Sequence, residues 1–169
     1  VTVANVREEK NHLRQVAAMQ RLFSEGLRFR WVNIGSLANA LLVEKLRLAV
    51  RDAGLEDYFT LTGPLDNPYG VMRRADAVCV LSDHESWSMV ITEAKALGVP
   101  VIATRTSGAL EQIEDGKNGV LCGFSDEEIA ESLRAFLTGG AAETMRRDAK
   151  RPAAETSRDT LEALLENDT

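Results

Sequence analysis

The sequence predicts a doubly wound α/β domain, a Rossmann-like parallel sheet of about six strands with helices on both faces. Three observations predict it. Short apolar runs alternate with helix-length amphipathic stretches, as successive βαβ units require. The run Ala77-Val78-Cys79-Val80-Leu81 is apolar without alternation, the pattern of a parallel strand covered on both faces. At 169 residues and 44% hydrophobic content, the chain has the length of one domain and the apolar material for its core.

Val1 to Val6 reads as the first strand, followed by the polar turn Arg7-Glu8-Glu9-Lys10-Asn11. A helix from about His12 to Glu25 puts Leu13, Val16, Ala17, Leu22 and Phe23 roughly on one face, and Gly26 ends it. Phe29 to Ile34 is the second strand, closed by Gly35-Ser36; Leu37 to Ala53 is helical, with Gly54 as its stop. Tyr58 to Thr62 is the third strand, ending at the turn signal Gly63-Pro64. Pro68 suits the first position of a short helix to Arg74. Ala77 to Leu81 is the fourth strand, followed by a short polar loop and a helix running to Gly98. Val101 to Thr104 is the fifth, and the loop Arg105 to Gly108 leads into a short helix over Ala109 to Glu114. The tight turn Asp115-Gly116-Lys117-Asn118-Gly119 carries two glycines able to take positive φ. Val120 to Cys122 is the last strand. Ser125 and Glu128 form a capping box for a helix from Asp126 to Leu137. Beyond Gly139-Gly140, helical stretches are expected over Ala142 to Lys150 and Ala153 to Glu166, separated by Pro152. Residues 1–140 therefore read as the Rossmann-like unit, and 141–169 as C-terminal helices of the same domain.

Composition narrows the chemistry. A formal net charge of −6 argues against a nucleic-acid surface, which needs a basic face. Cys79 and Cys122 both sit in apolar runs and read as buried free thiols, in keeping with a reducing cytoplasm. No apolar run approaches the length of a membrane span. The chain opens on a strand without an initiator Met, which suggests a domain excised from a longer protein. The Gly-x-Gly-x-x-Gly of a dinucleotide site, the Gly-Lys-Ser/Thr ending of a P-loop and the Gly-x-Ser-x-Gly elbow of a hydrolase are all absent. His12 and His84, the only histidines, have no partner at metal-ligand spacing, so no metal is expected.

In doubly wound sheets ligands sit beyond the carboxyl ends of the strands, at a topological switch point. The stretch Ser82 to Ala94 follows such an end. Asn5 to Arg7, Gly35, Gly63 and Ser107-Gly108 follow others and could line the same cleft. Ser86 and Ser88 can cap or open the helix, leaving the N–H groups of Ser88, Met89 and Val90 free for a diphosphate. Glu93 lies about five residues further on, roughly 7.5 Å along the axis, where a carboxylate could accept from both hydroxyls of a ribose. Glu85 precedes the helix on the other side of the phosphate position, where a sugar would lie. Lys10, after the first strand, could neutralise a phosphate. On spacing alone the plainer alternatives stand beside these: a solvated Glu85, a Glu93 favoured merely by the helix start, an exposed Lys10. Trp87 is expected to pack, Arg105 to be a surface charge, and Glu111 to face either cleft or solvent.

Taken together the motifs resemble a family. Glu85-Ser86-Trp87-Ser88-Met89-Val90-Ile91-Thr92-Glu93-Ala94 resembles the E-x7-E signature of retaining GT-B glycosyltransferases, close to glycosyltransferase family 4, usually written E-G-F-G-L-V-x-x-E-A. Ala75 to Ser82 is similar to its A-D-x-x-V-x-P-S strand, and Ala96 to Thr104 to A-x-G-x-P-V-V-A-T. Ser107 to Ile113 is similar to G-G-x-x-E-x-I, Asp115 to Gly119 to D-G-x-x-G, and Val3 to Asn11 to V-G-R-L-x-x-E-K-G. Asn5 stands where the family has an arginine that binds diphosphate, with Arg7 two positions on; Ser86 and Ser88 stand where it has glycines; and Arg105 to Ser107 is more polar than usual.

The resemblance implies one half of a GT-B fold, the C-terminal domain that binds the nucleotide-sugar donor, with the acceptor-binding N-terminal domain missing from this chain. It implies a UDP- or GDP-sugar as substrate, no cofactor and no metal. By analogy the catalytic residues are Lys10, at the diphosphate, and Glu85, at the donor sugar near the reacting carbon. Asn5, Arg7, Ser86, Trp87, Ser88, Met89, Val90 and Glu93 complete the donor-binding set. The full enzyme would move sugar to a glycan or lipid-linked acceptor in the cytoplasm, with peripheral association at the inner face of the membrane left open. The fragment alone is expected to bind nucleotide without transferring sugar. Two other readings remain at this point: a non-catalytic nucleotide-sugar or protein-interaction module of the same fold, and a UDP-sugar epimerase-like enzyme.

Overall fold

A computed structural model describes residues 1–140 together with Thr144 and Met145. The helices expected over Ala142 to Lys150 and Ala153 to Glu166 thus lie outside the described residues, those two positions apart. The elements follow in strict alternation: β1 (Thr2–Val3), α1 (His12–Ser24), β2 (Trp31–Ile34), α2 (Ala40–Asp52), β3 (Phe59–Gly63), α3 (Tyr69–Arg74), β4 (Val78–Val80), α4 (Met89–Ala96), β5 (Val101–Thr104), α5 (Ser107–Gln112), β6 (Gly119–Cys122) and α6 (Asp126–Thr138). A short 3₁₀ turn, Glu8–Lys10, precedes α1.

All strand pairs are parallel, in two ladders, β1-β2-β3 and β4-β5-β6. The ladders meet at Val1, whose N donates to the Ala77 carbonyl at 2.8 Å and whose carbonyl accepts from the Cys79 N–H at 2.7 Å. The order across the sheet is therefore 3-2-1-4-5-6, and the direction of winding reverses between β1 and β4. The helices divide by face. Val16, Met19 and Leu22 of α1, Leu42 and Leu46 of α2, and Ile129, Leu133 and Phe136 of α6 form one core with Trp31 and Cys79. Met72 of α3, Ile91 and Ala94 of α4 and Ala109 of α5 form the other with Val78 and Val101. Both cores exclude water on either side of β4 and β5, which is why those strands carry no polar alternation.

Some local expectations shift. β1 is shorter than the apolar run Val1 to Val6, although the chain stays tied to β2 through Ala4 N–H to the Ile34 carbonyl and Val6 N–H to the Ser36 carbonyl. The buried face of α1 is His12, Gln15, Val16, Ala18, Met19 and Leu22, whereas Leu13, expected inside, is 40% exposed. Three polar or small positions define that face, so apolar residues alone gave the wrong phase. In the Asp115 to Gly119 turn only Gly116 takes positive φ, at 81°. Gly119 serves close approach instead: a Cβ there would stand 2.5 Å from the Val101 carbonyl oxygen. The Ser125–Glu128 capping box is present in full. Cys79 and Cys122 are buried and free, and burial raises both thiols, Cys122 to about 12, so neither is a reactive thiolate.

Candidate functional site

At the carboxyl ends of β1 and β4 the connecting loops are tied to one another. Asp83 N–H donates to the Glu9 carbonyl at 2.9 Å, and the Asn11 side-chain amide donates to the Leu81 carbonyl at 2.9 Å. Asn11 holds φ 53°, a left-handed conformation that asparagine tolerates better than most residues. That bend turns the chain from the 3₁₀ segment into α1 and leaves Lys10 facing the β4 loop. Lys10 Nζ meets Glu85 Oε2 at 2.7 Å, with the two side chains 25% and 19% exposed. The pair borders a small cavity of about 30 Å³, shared with Thr2, Ala4, Ser82, Ser88 and Val90. On the far side of the same loop a depression of about 390 Å³ opens between Asp83 to Ser86, Arg105 to Ser107 and Phe124. Larger or more apolar hollows lie elsewhere, along α2 and at the amino ends of the strands.

The loop between Glu85 and α4 is fixed from the start of α5. Gly108 N–H and the Ser107 hydroxyl both donate to the Glu85 carbonyl, at 2.8 and 3.2 Å. Gly108 lies so close that a Cβ would stand 2.7 Å from the Ser86 carbonyl carbon. Ser88 caps α4, its hydroxyl accepting from Ile91 N–H. Its amide is not free for a phosphate as expected: Ser88 N–H donates to Gln112 Oε1 at 2.9 Å, while Gln112 Nε2 donates to the Ser88 carbonyl at 2.9 Å and to Thr92 Oγ1 at 3.0 Å. A buried amide side chain paired with a buried peptide outcompetes a solvent-facing role. Met89 and Val90 N–H groups remain at the helix start, where the backbone dipole favours an anion.

The other expected residues scatter. Glu93, on the second turn of α4, accepts from the Tyr69 hydroxyl at 3.2 Å through Oε1. Asn5 is committed to the backbone, its Oδ1 accepting from Ser36 N–H at 2.8 Å. Arg7 is exposed and pairs loosely with Glu9 at 3.9 Å. Trp87, expected to pack, is 54% exposed, because its helix-start position carries it outside both cores. Ser86 and Met89 are exposed and Val90 is half-buried. Neither Ser86 nor Ser88 takes positive φ, so the backbone there does not require glycine. Arg105 is a surface charge paired with Asp115 at 3.0 Å, and Glu111 faces solvent while its neighbour Gln112 turns inward.

Sequence reasoning missed Gln112 and Tyr69. Gln112 had a weak signal, a polar residue three positions after Ala109 on the inward stripe of a short helix. Tyr69 had none. His12 is also buried, 2% exposed, and neither ring nitrogen has a hydrogen-bond partner among the described residues. Burial pushes its pKa down to about 4; the Ala4 backbone opposes that in part, though without hydrogen-bond geometry, and the Lys10 charge adds to it. Among the described residues no cluster of metal-ligating side chains forms, and no helix is long and apolar enough to cross a membrane.

Residues 1–155 match the family described as glycosyl transferases group 1. The D-inositol 3-phosphate glycosyltransferase of Corynebacterium jeikeium (strain K411) is 37% identical over 94 residues, covering 54% of this chain and 22% of that protein. The chain thus spans about a fifth of the length of such curated relatives. Anabaena HepE, solved in complex with UDP-glucose, superposes with a TM-score of 0.81 at 21% identity, over 98% of this chain and 48% of that one. The C-terminal domain of a glycosyl transferase group 1 family protein from Francisella tularensis gives 0.75 at 22% identity, over 88% of this chain and 80% of that one. At these identities the structural likeness establishes the fold, that of one Rossmann-like half of a GT-B glycosyltransferase.

Proposed function

The chain belongs to the glycosyl transferases group 1, and we propose that it is the donor-binding domain of a retaining member of that family. The observation that carries this reading is the Lys10–Glu85 pair, held 2.7 Å apart at the β1/β4 switch point. A cation and a sugar-binding carboxylate there face the start of α4, where two backbone N–H groups await an anion. Lys10 and the Met89 and Val90 amides would receive the diphosphate. Glu93 would accept from the ribose hydroxyls. Glu85 would hold the donor sugar near its reacting carbon.

In the transfer, the bond from the sugar's anomeric carbon to the diphosphate oxygen breaks and an acceptor hydroxyl oxygen bonds to that carbon on the same face, its proton passing to the departing diphosphate oxygen. The nucleoside diphosphate leaves with the electron pair. Lys10 and the helix start supply what that step most needs, positive charge in place before the leaving group develops its own negative charge. Closure by an acceptor-binding domain would exclude water from the cleft. This chain by itself therefore binds nucleotide and does not transfer sugar. The residues call for neither metal nor cofactor in this chemistry, since the leaving-group charge falls to a lysine and backbone amides.

Family membership selects a transferase over the epimerase-like reading. A second reading, a binding module without activity, has one observation in its favour: the Ser88 amide and the Asn5 side chain are both spent on internal hydrogen bonds. Calorimetric titration with UDP and GDP, before and after Glu93→Ala, separates the two. Saturable binding that Glu93→Ala weakens supports the donor site. Absence of binding by either nucleotide in the millimolar range supports the module.

A further inference from the structure

Tyr69 opens α3, immediately after the loop that leaves the carboxyl end of β3. Its N–H is anchored to Asn67 Oδ1 at 2.9 Å, which fixes where the side chain departs. Met72 of α3 and Ile91 of α4 are both fully buried in the same core on one face of the sheet. From that base the Tyr69 hydroxyl reaches across to Glu93 and donates to Oε1 at 3.2 Å. Burial, and then the Glu93 charge, raise the phenol, so it stays a donor across neutral pH. Glu93 Oε2 has no partner among the described residues. An ionised carboxylate accepts only. With one oxygen held by the phenol, the carboxylate plane is set, and the other oxygen is presented for two adjacent hydroxyls.

We propose that Tyr69 is a positioning residue that holds the Glu93 carboxylate for the ribose diol of the nucleotide, and so makes the site select ribonucleotides over 2′-deoxyribonucleotides. This inference rests on the donor-site reading. Without the Tyr69 bond the half-buried Glu93 side chain would rotate among staggered rotamers and lose entropy on binding. The hydrogen bond from α3 removes part of that freedom before the nucleotide arrives.

The test is titration of the chain and of its Tyr69→Phe variant with UDP, GDP and their 2′-deoxy forms. Phenylalanine keeps the ring that packs beside α4, so thermal stability should hold. Removing one hydrogen bond to a charged acceptor should weaken ribonucleotide binding by about five- to tenfold. Affinity for the 2′-deoxy nucleotide should change less, so the preference for ribose narrows. An unchanged affinity and an unchanged ribose preference would overturn the role of Tyr69 alone. Equal weakening of both sugar forms would also overturn it, since that points to packing or direct contact. Failure of the unaltered chain to bind either UDP or GDP would overturn the donor-site reading, and the Tyr69 role with it.

Discussion

Lys10 and Glu85 come from loops 75 residues apart and meet at 2.7 Å. Each is the other's partner, so an incoming diphosphate competes with Glu85 for Lys10. Lys10→Ala should weaken nucleoside diphosphate binding about tenfold or more, the loss of a charge-assisted contact. Glu85→Gln should do the reverse, tightening the bare nucleotide about two- to fivefold by releasing the lysine from an ion pair. Titration of both variants with UDP and GDP checks the opposed signs. Weakening by both would mean that Glu85 organises Lys10 and does not compete for it.

Gln112 holds both sides of the Ser88 peptide from 24 residues away. Gln112→Ala would leave the buried Ser88 N–H unpaired, while the Ser88 carbonyl keeps its bond from the Thr92 N–H at 3.3 Å, at a cost of about 1–3 kcal/mol. Urea unfolding measures it. The same variant should loosen the start of α4, where amide hydrogen exchange of Ser88 to Val90 should accelerate.

His12 gives the fold a pH dependence of determined sign. Its folded pKa, about 4, lies below the ordinary value near 6.5, so the unfolded chain binds the proton first as pH falls. Stability is full above the unfolded pKa and declines through the window from about 6.5 to about 4, by up to about 3 kcal/mol. Exposed carboxylates add their own acid dependence below that. The difference between the unaltered chain and His12→Leu, in denaturant midpoints across this window, isolates the histidine: the curve should flatten in the variant.

Sequence alone made the alternation of strands and helices legible, because each signal is local. Val101 to Thr104 is an apolar run between Pro100 and Arg105, and it is β5 to the residue. Ser125 and Glu128 are three apart, and they cap α6. The tilt of α1 was not legible, since its inward face includes His12 and Gln15, polar residues whose burial no periodicity announces. The site was legible as a list of residues and not as an arrangement. Lys10 and Glu85 could be named from their motifs, but their pairing depends on the β1/β4 junction. The partners that fix Ser88 and Glu93, Gln112 and Tyr69, come from separate helices and meet only through the winding of the sheet.

The most direct test of the donor site maps where a nucleotide lands. Backbone amide shifts of the isotopically labelled chain, followed during titration with UDP or GDP, should move together at Lys10, Glu85, Ser88 to Val90 and Glu93. Saturation at a single affinity, abolished or strongly weakened in Lys10→Ala, is the expected result. Shifts confined to the apolar hollow around Trp31 and Phe136 at the opposite end of the strands, or no saturable shift with either nucleotide, would contradict a donor site at the β1/β4 switch point.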